Sequence, residues 1–201
     1  MNKRPRGKVL QASPHYLDKV HVDIAFGDTI SKLGFRYGLL LVDHATRYIW
    51  FYGVRSLQSA NVIEALEQFR ADAGGLPKQF RCDCDNKLLG GDARRWIYRN
   101  RSKIIGAPAG RQSSNGLAER GWQTVCNMAR AYLAEKQIPK DYWYHAIHHA
   151  CRMMNQIPLK IGGKLTTPLL RELTVHGKYW CYFGYWNGNH RLTSEPEILT
   201  K

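Results

Sequence analysis

The sequence predicts an α/β domain, a mixed five-stranded sheet flanked by helices. Three observations carry that prediction. Residues 20–54 hold an alternating apolar run, a continuous one and an aromatic, β-branched one, joined by short connections. The apolar period then lengthens to helical spacing. After that, short apolar strands and helical stretches take turns as far as Pro158.

Val20, Val22, Ile24 and Phe26 alternate with His21, Asp23 and Ala25, so the first strand has one apolar face and carries Asp23 on the other. Phe35 to Val42 is almost continuously apolar, as a central strand covered on both faces should be. Asp43-His44-Ala45-Thr46 is a short turn, and Arg47 to Val54 returns as a third strand, which makes an antiparallel meander. Ala60, Ile63, Ala65, Leu66 and Phe69 recur at helical spacing, and Gly74-Gly75 with Pro77 ends that helix. Gln79 to Cys82 is a short strand, Trp96 and Ile97 belong to a second helix, and Lys103-Ile104-Ile105 is another strand. Pro108 to Ser114 is a loop, and long helices are predicted over 115–136 and 140–156. Residues 1–16 read as a basic linker, 17–170 as the core, and 171–201 as an aromatic extension with a flexible tail. In that extension Tyr179, Trp180, Tyr182, Phe183, Tyr185 and Trp186 read as packing residues, with base stacking as the alternative.

The composition narrows the partners. Thirty Lys and Arg against 16 Asp and Glu give a formal charge of +14, a surplus that suits a polyanion. Five cysteines, an odd number and mostly in apolar runs, suggest a reducing compartment; Cys82-x-Cys84 is too tight for a usual zinc pair. The basic N-terminus has no apolar core of a secretory signal, and no apolar run is long enough to span a membrane. His145 and His149, four apart on a helix, have zinc-compatible spacing but no third ligand, so with His148 they read as a solvated helix face. Trp122 and Trp143 read as core.

Few acids remain to do chemistry. Phosphoryl transfer on DNA needs an activated nucleophile and a stabilised leaving oxygen, which two divalent metals about 3.5–4 Å apart provide together. Such ions take hard carboxylate oxygens. Asp23 lies on a strand, away from its apolar side. Asp83 ends the strand Gln79-Phe80-Arg81-Cys82 and alternates against Phe80 and Cys82. Glu119 lies in the first turns of the long helix. The helix's apolar arc comprises Leu117, Val125, Met128, Ala129 and Tyr132, and Glu119 falls roughly 120–140° from its centre at about 100° per residue. It shares a polar stripe with Asn115, Gln123 and Arg130. Thirty-five residues separate Asp83 from Glu119, and fifty-nine separate Asp23 from Asp83.

This pattern resembles the catalytic core of retroviral and retrotransposon integrases, and the copia-like elements in particular. His21-Val22-Asp23-Ile24 looks like their first catalytic strand. Val42-Asp43-His44-Ala45-Thr46-Arg47-Tyr48 is similar to their "DDYSRY" turn, and Arg81-Cys82-Asp83 stands where they carry R-x-D. Asn115-Gly116-Leu117-Ala118-Glu119-Arg120 is close to their "NGVAER", and Asn155-Gln156-Ile157-Pro158 matches a later landmark. The resemblance covers residues 17–170. It implies a ribonuclease-H-like fold, two Mg²⁺ or Mn²⁺ ions on Asp23, Asp83 and Glu119, and two reactions. A polynucleotidyl transferase of this type trims element ends with water, then joins the 3′-hydroxyl to target DNA. Asn115, Arg120, Arg111, Gln112 and Arg130 would lie along double-stranded DNA. Homo-oligomers, other segments of a Pol polyprotein, and work inside a cytoplasmic particle and the nucleus are also implied.

The departures are specific. Cys84-Asp85-Asn86-Lys87 replaces a Gly-rich loop, so Asp85 rivals Asp83 as second ligand; strand phase and spacing favour Asp83. The family's zinc module does not precede residues 1–16, which resemble only the linker that follows it. The chain therefore reads as a piece of a polyprotein or a separated copy. The alternatives are a decayed or domesticated core that binds DNA without catalysis, and a ribonuclease-H-like nuclease.

Overall fold

The computed structural model describes residues 15–82, 90–106, 116–161 and 164–166. The basic lead-in and the aromatic extension lie outside them. The elements are β1 (Lys19–Phe26), β2 (Tyr37–Asp43), β3 (Ile49–Val54), α1 (Ser59–Ala73), β4 (Gln79–Cys82), α2 (Gly91–Arg99) and β5 (Lys103–Gly106). There follow α3 (Gly116–Glu135), α4 (Trp143–Gln156), β6 (Leu159–Ile161) and β7 (Lys164–Thr166). Five strands form one sheet in the order β3-β2-β1-β4-β5. β1, β2 and β3 are the expected antiparallel meander. β4 and β5 then add parallel to β1, across helical connections, which makes the sheet mixed.

Strand alternation distributes the core. On one face Val20, Val22, Leu39, Leu41, Trp50, Tyr52 and Phe80 meet Val62, Leu66 and Phe69 of α1 and Ala93 and Ile97 of α2. Phe69 packs edge-on against both Trp50 and Phe80, at centroid distances of 5.1 and 6.1 Å. On the other face Leu40, Val42, Ile49 and Phe51 meet Val125 and Ala129 of α3 and Ala146, Ile147, Ala150 and Cys151 of α4. β2 and β3 therefore serve both cores, which is why their sequences run almost continuously apolar.

The ends of the helices follow local chemistry. α1 stops at Gly74, whose φ of 73° is the left-handed cap that glycine adopts without a Cβ penalty. Lys140–Tyr142, expected as the first turn of α4, is instead a 3-10 turn after Pro139, and the α-helix proper starts at Trp143. Pro139 supplies no N–H and holds φ at −56°, which favours the tighter entry. Trp143 ties this corner to β1. Its indole N–H donates to the carbonyl of Thr29 at 2.9 Å, and its ring lies so close to Gly27 that a Cβ there would sit 2.6 Å away. Trp122 and Trp143 pack partly buried against the second core, in line with the sequence reading.

Candidate active site

β1 is the central strand, and its two faces have different jobs. Val20 and Val22 are sealed in the α1–α2 core, so His21 and Asp23 turn to the α3 side. Asp23 pairs with Leu40 of β2, itself in the α3–α4 core. It is half-buried, and its Oδ1 accepts the N–H of Ile24 at 2.9 Å.

Helix α3 crosses this face. Its fully buried row is Ala118, Val125 and Ala129, and Gly121 sits over Val42 and Leu40. At about 100° per residue, Glu119 lies roughly 100° from that row. Leu117, Met128 and Tyr132 of the expected apolar arc pack partly buried beside that row, and from the centre of the whole arc Glu119 stands roughly 120–140° away. Glu119 is exposed, on the flank of the helix. Cys126, two turns further on, shares that flank, and Arg130 follows one turn later. Burial pushes the Cys126 thiol above its ordinary range; the charge of Asp23 adds to the rise and Arg130 opposes it. The charge of Asp23 reaches Cys126, so this part of α3 lies over the face of β1 that carries Asp23. Glu119, Arg120 and Arg130 are exposed on α3. A cavity of about 510 Å³ opens beside Cys126 and Arg130, walled by Gly27, Trp122, Trp143 and Ile147.

Asp83, Asp85, Arg111, Gln112 and Asn115 lie outside the described residues. The expected approach of Asp83 to Asp23 is therefore carried by sequence and register alone. His21 of β1 stands beside Arg81 of β4 in the parallel pair, and each lies two residues before one of the two aspartates. His145, His148 and His149 are exposed on α4, far along the chain from the acids.

Two further features near the start of β1 have no direct reading in the sequence. The first is Asp43, which is fully buried. Its Oδ1 accepts the N–H of Leu17 at 3.1 Å; its Oδ2 accepts the N–H of Ala45, and both the N–H and hydroxyl of Thr46, at 3.1, 2.7 and 2.8 Å. Burial raises the Asp43 carboxyl, and these donors pull it back. The residue organises the β2–β3 turn and pins the entry to β1. The signal was the Asp-x-x-Thr spacing, which places a hydroxyl and turn amides around one carboxylate. The second is a histidine pair. Nε2 of buried His21 lies 2.9 Å from Nδ1 of His44, with the rings stacked at 5.1 Å. Burial, together with the charges of Arg47, Lys19 and Arg81, lowers His44 to about 4, so the ring is neutral at pH 7.

A mixed sheet in this order, with helices on both faces and an acid on the central strand beneath a helix, defines the ribonuclease-H-like class to which integrase catalytic cores belong. Solved structures bear this out. The magnesium-bound catalytic core of HTLV-2 integrase in its trimeric form superposes with a TM-score of 0.57 at 18% identity, over 79% of this chain and 96% of that one. A chain from the simian T-cell lymphotropic virus intasome, in complex with a PP2A regulatory subunit, gives a TM-score of 0.68 at 16% identity, over 98% of this chain and 63% of that one. No family model matches the chain. In sequence it is similar to the retrovirus-related Pol polyprotein from transposon RE1 of Arabidopsis thaliana, at 28% identity over 178 residues, 85% of this chain. It is also similar to that from transposon TNT 1-94 of Nicotiana tabacum, at 25% identity over 151 residues, 71% of this chain. The chain spans 11% of the length of each of these polyproteins.

Proposed function

We propose that this chain is the catalytic core of a copia-like retrotransposon integrase, which processes the 3′ ends of element DNA and joins them to target DNA. The observation that carries the reading is the integrase-core fold, with Asp23 half-buried on the face of the central strand that α3 covers and Glu119 exposed in the first turns of that helix. The similarity to Pol polyproteins of plant transposons supports the biological setting.

Asp23, Asp83 and Glu119 would hold two Mg²⁺ or Mn²⁺ ions. The donor set fits: hard carboxylate oxygens, one on a half-buried strand and one on an exposed helical turn that leaves room for water and phosphate oxygens. Bound metal would supply charge neutralisation at the reacting phosphate and a more acidic nucleophile. The protein's own part is positional. Arg120 and Arg130 of α3, with Asn115, Arg111 and Gln112 of the segment before it, hold the DNA backbone, and Asp23 is kept in place by its strand. On this reading the chain works as a homo-oligomer with other Pol segments, in the cytoplasmic particle and the nucleus.

The test incubates the purified chain with branched and linear DNA bearing 3′-hydroxyl ends, with Mg²⁺ or Mn²⁺. Metal-dependent joining or disintegration, lost in Glu119→Gln, is the expected result. Cleavage without joining would replace the reading by a nuclease, and binding without chemistry in the wild type would replace it by a DNA-binding core.

A further inference from the structure

Two residues before Asp23 on the same face of β1, positive charge gathers around the His21–His44 pair. Arg81 stands beside His21 in the sheet, and Lys19, Arg47 and Arg81 all act on His44. Arg120, from the first turns of α3, in turn acts on Arg47. Asp43 also acts on Arg47, but its two oxygens are committed to three backbone amides and the Thr46 hydroxyl. Nη1 of Arg47 and Nε of Arg81 are buried, and neither has an acceptor among the described residues. Gathered like charges repel, and buried donors without acceptors cost free energy; an anion with several oxygens relieves both.

The backbone adds an independent observation. Arg47 has φ of 62°, the left-handed region that suits Gly or Asn and is strained for a long side chain. The turn would close more easily without an arginine. Strain held at one residue of a polar cluster points to a use for its side chain.

We propose that Arg47, Arg81 and Arg120, on the floor formed by the His21–His44 pair, are an oxyanion site that takes a phosphodiester group of bound DNA next to the carboxylates. The site rests on the DNA-binding reading above and goes beyond it by assigning the β2–β3 turn and β4 to the substrate. Arg47 and Arg120, whose charges act on each other, would meet the phosphate, with Arg81 beside His21 in the sheet completing the positive field.

Arg47→Asn separates binding from folding, because Asn suits the backbone there. Two measurements are made on the full chain: thermal melting in sodium sulfate against sodium chloride at equal ionic strength, and the salt dependence of affinity for a duplex oligonucleotide. The variant should melt no lower than the wild type in chloride. It should lose most of the extra stabilisation that sulfate gives the wild type. Its DNA affinity should fall about tenfold, and the slope of log K against log salt by about one. A variant that keeps both the sulfate effect and the slope overturns the site. A wild type that does not bind DNA would sink the integrase reading itself; a wild type that binds DNA as tightly as Arg47→Asn, with the same slope, would sink the oxyanion site alone.

Discussion

The two faces of the central sheet are built from the same strands and do different work. On the α1–α2 side, β1 offers Val20 and Val22, and the layer is closed by large apolar side chains with essentially no exposure. On the α3–α4 side, the same strand offers His21 and Asp23, β4 offers Arg81, and the covering helix α3 carries Glu119, Arg120 and Arg130 exposed. Alternate residues of one strand thus divide between the apolar core and the proposed chemistry. The rigid face lets the polar face hold side chains that a marginally stable domain would otherwise expel.

Substitutions on the two faces should separate these roles. Asp23→Asn should lower metal-dependent DNA joining about a thousandfold or more, since removal of a ligand charge forfeits several kcal/mol at the transition state. Its urea midpoint should stay near that of the wild type; a large fall in stability with activity per folded molecule unchanged would move Asp23 to the structural side. Phe69→Ala is the converse. It empties the position between Trp50 and Phe80 and should cost about 3–5 kcal/mol in urea denaturation, while the fraction that stays folded retains its catalytic behaviour. Asp43→Ala tests the hinge between the faces. It leaves three amides and a hydroxyl without their acceptor, at a cost of about 2–3 kcal/mol. A loss below about 0.5 kcal/mol, the range of an ordinary surface change, would show that water replaces the carboxylate.

The smallest effect concerns pH. His44 is lowered from 6.5 to about 4 on folding, so the unfolded chain takes up the proton first. Its contribution to stability is fully present above about pH 6.5 and is lost as pH falls toward about 4. For a half-buried ring screened by solvent, that contribution is about 1 kcal/mol. Urea midpoints between pH 7 and pH 4.5 should fall less steeply in His44→Gln than in the wild type, and equal slopes would remove His44 from the account.

Much of the fold was legible because periodicity reports burial. Val20, Val22 and Asp23 assigned the faces of β1, the continuous run in β2 announced a strand covered twice, and Gly74 marked the end of α1. What escaped was set by tertiary pairing. The β6–β7 hairpin is only three residues a side; the Gly162-Gly163 pair between its strands was the available turn signal. The order β3-β2-β1-β4-β5 has no linear signature. The contact of His21 with His44, across 23 positions, and its register with Arg81 depend on that order. The basic site was invisible for the same reason: its members come from β1, the β2–β3 turn, β4 and α3. For the acids, spacing and resemblance named Asp23, Asp83 and Glu119; the apolar arc of α3 placed Glu119 on its polar side, where it is exposed, and Asp83 lies outside the described residues.

The proposed metal site lies between Asp23 of β1 and the first turns of α3. The most direct measurement is Mn²⁺-induced paramagnetic broadening of backbone amide NMR signals, recorded on the full chain and on Asp23→Asn. The account predicts strong broadening at His21, Val22 and Ile24 of β1 and at Glu119 to Gln123 of α3, abolished in the variant. Broadening centred on His145 and His149 of α4, or unchanged by Asp23→Asn, would contradict it.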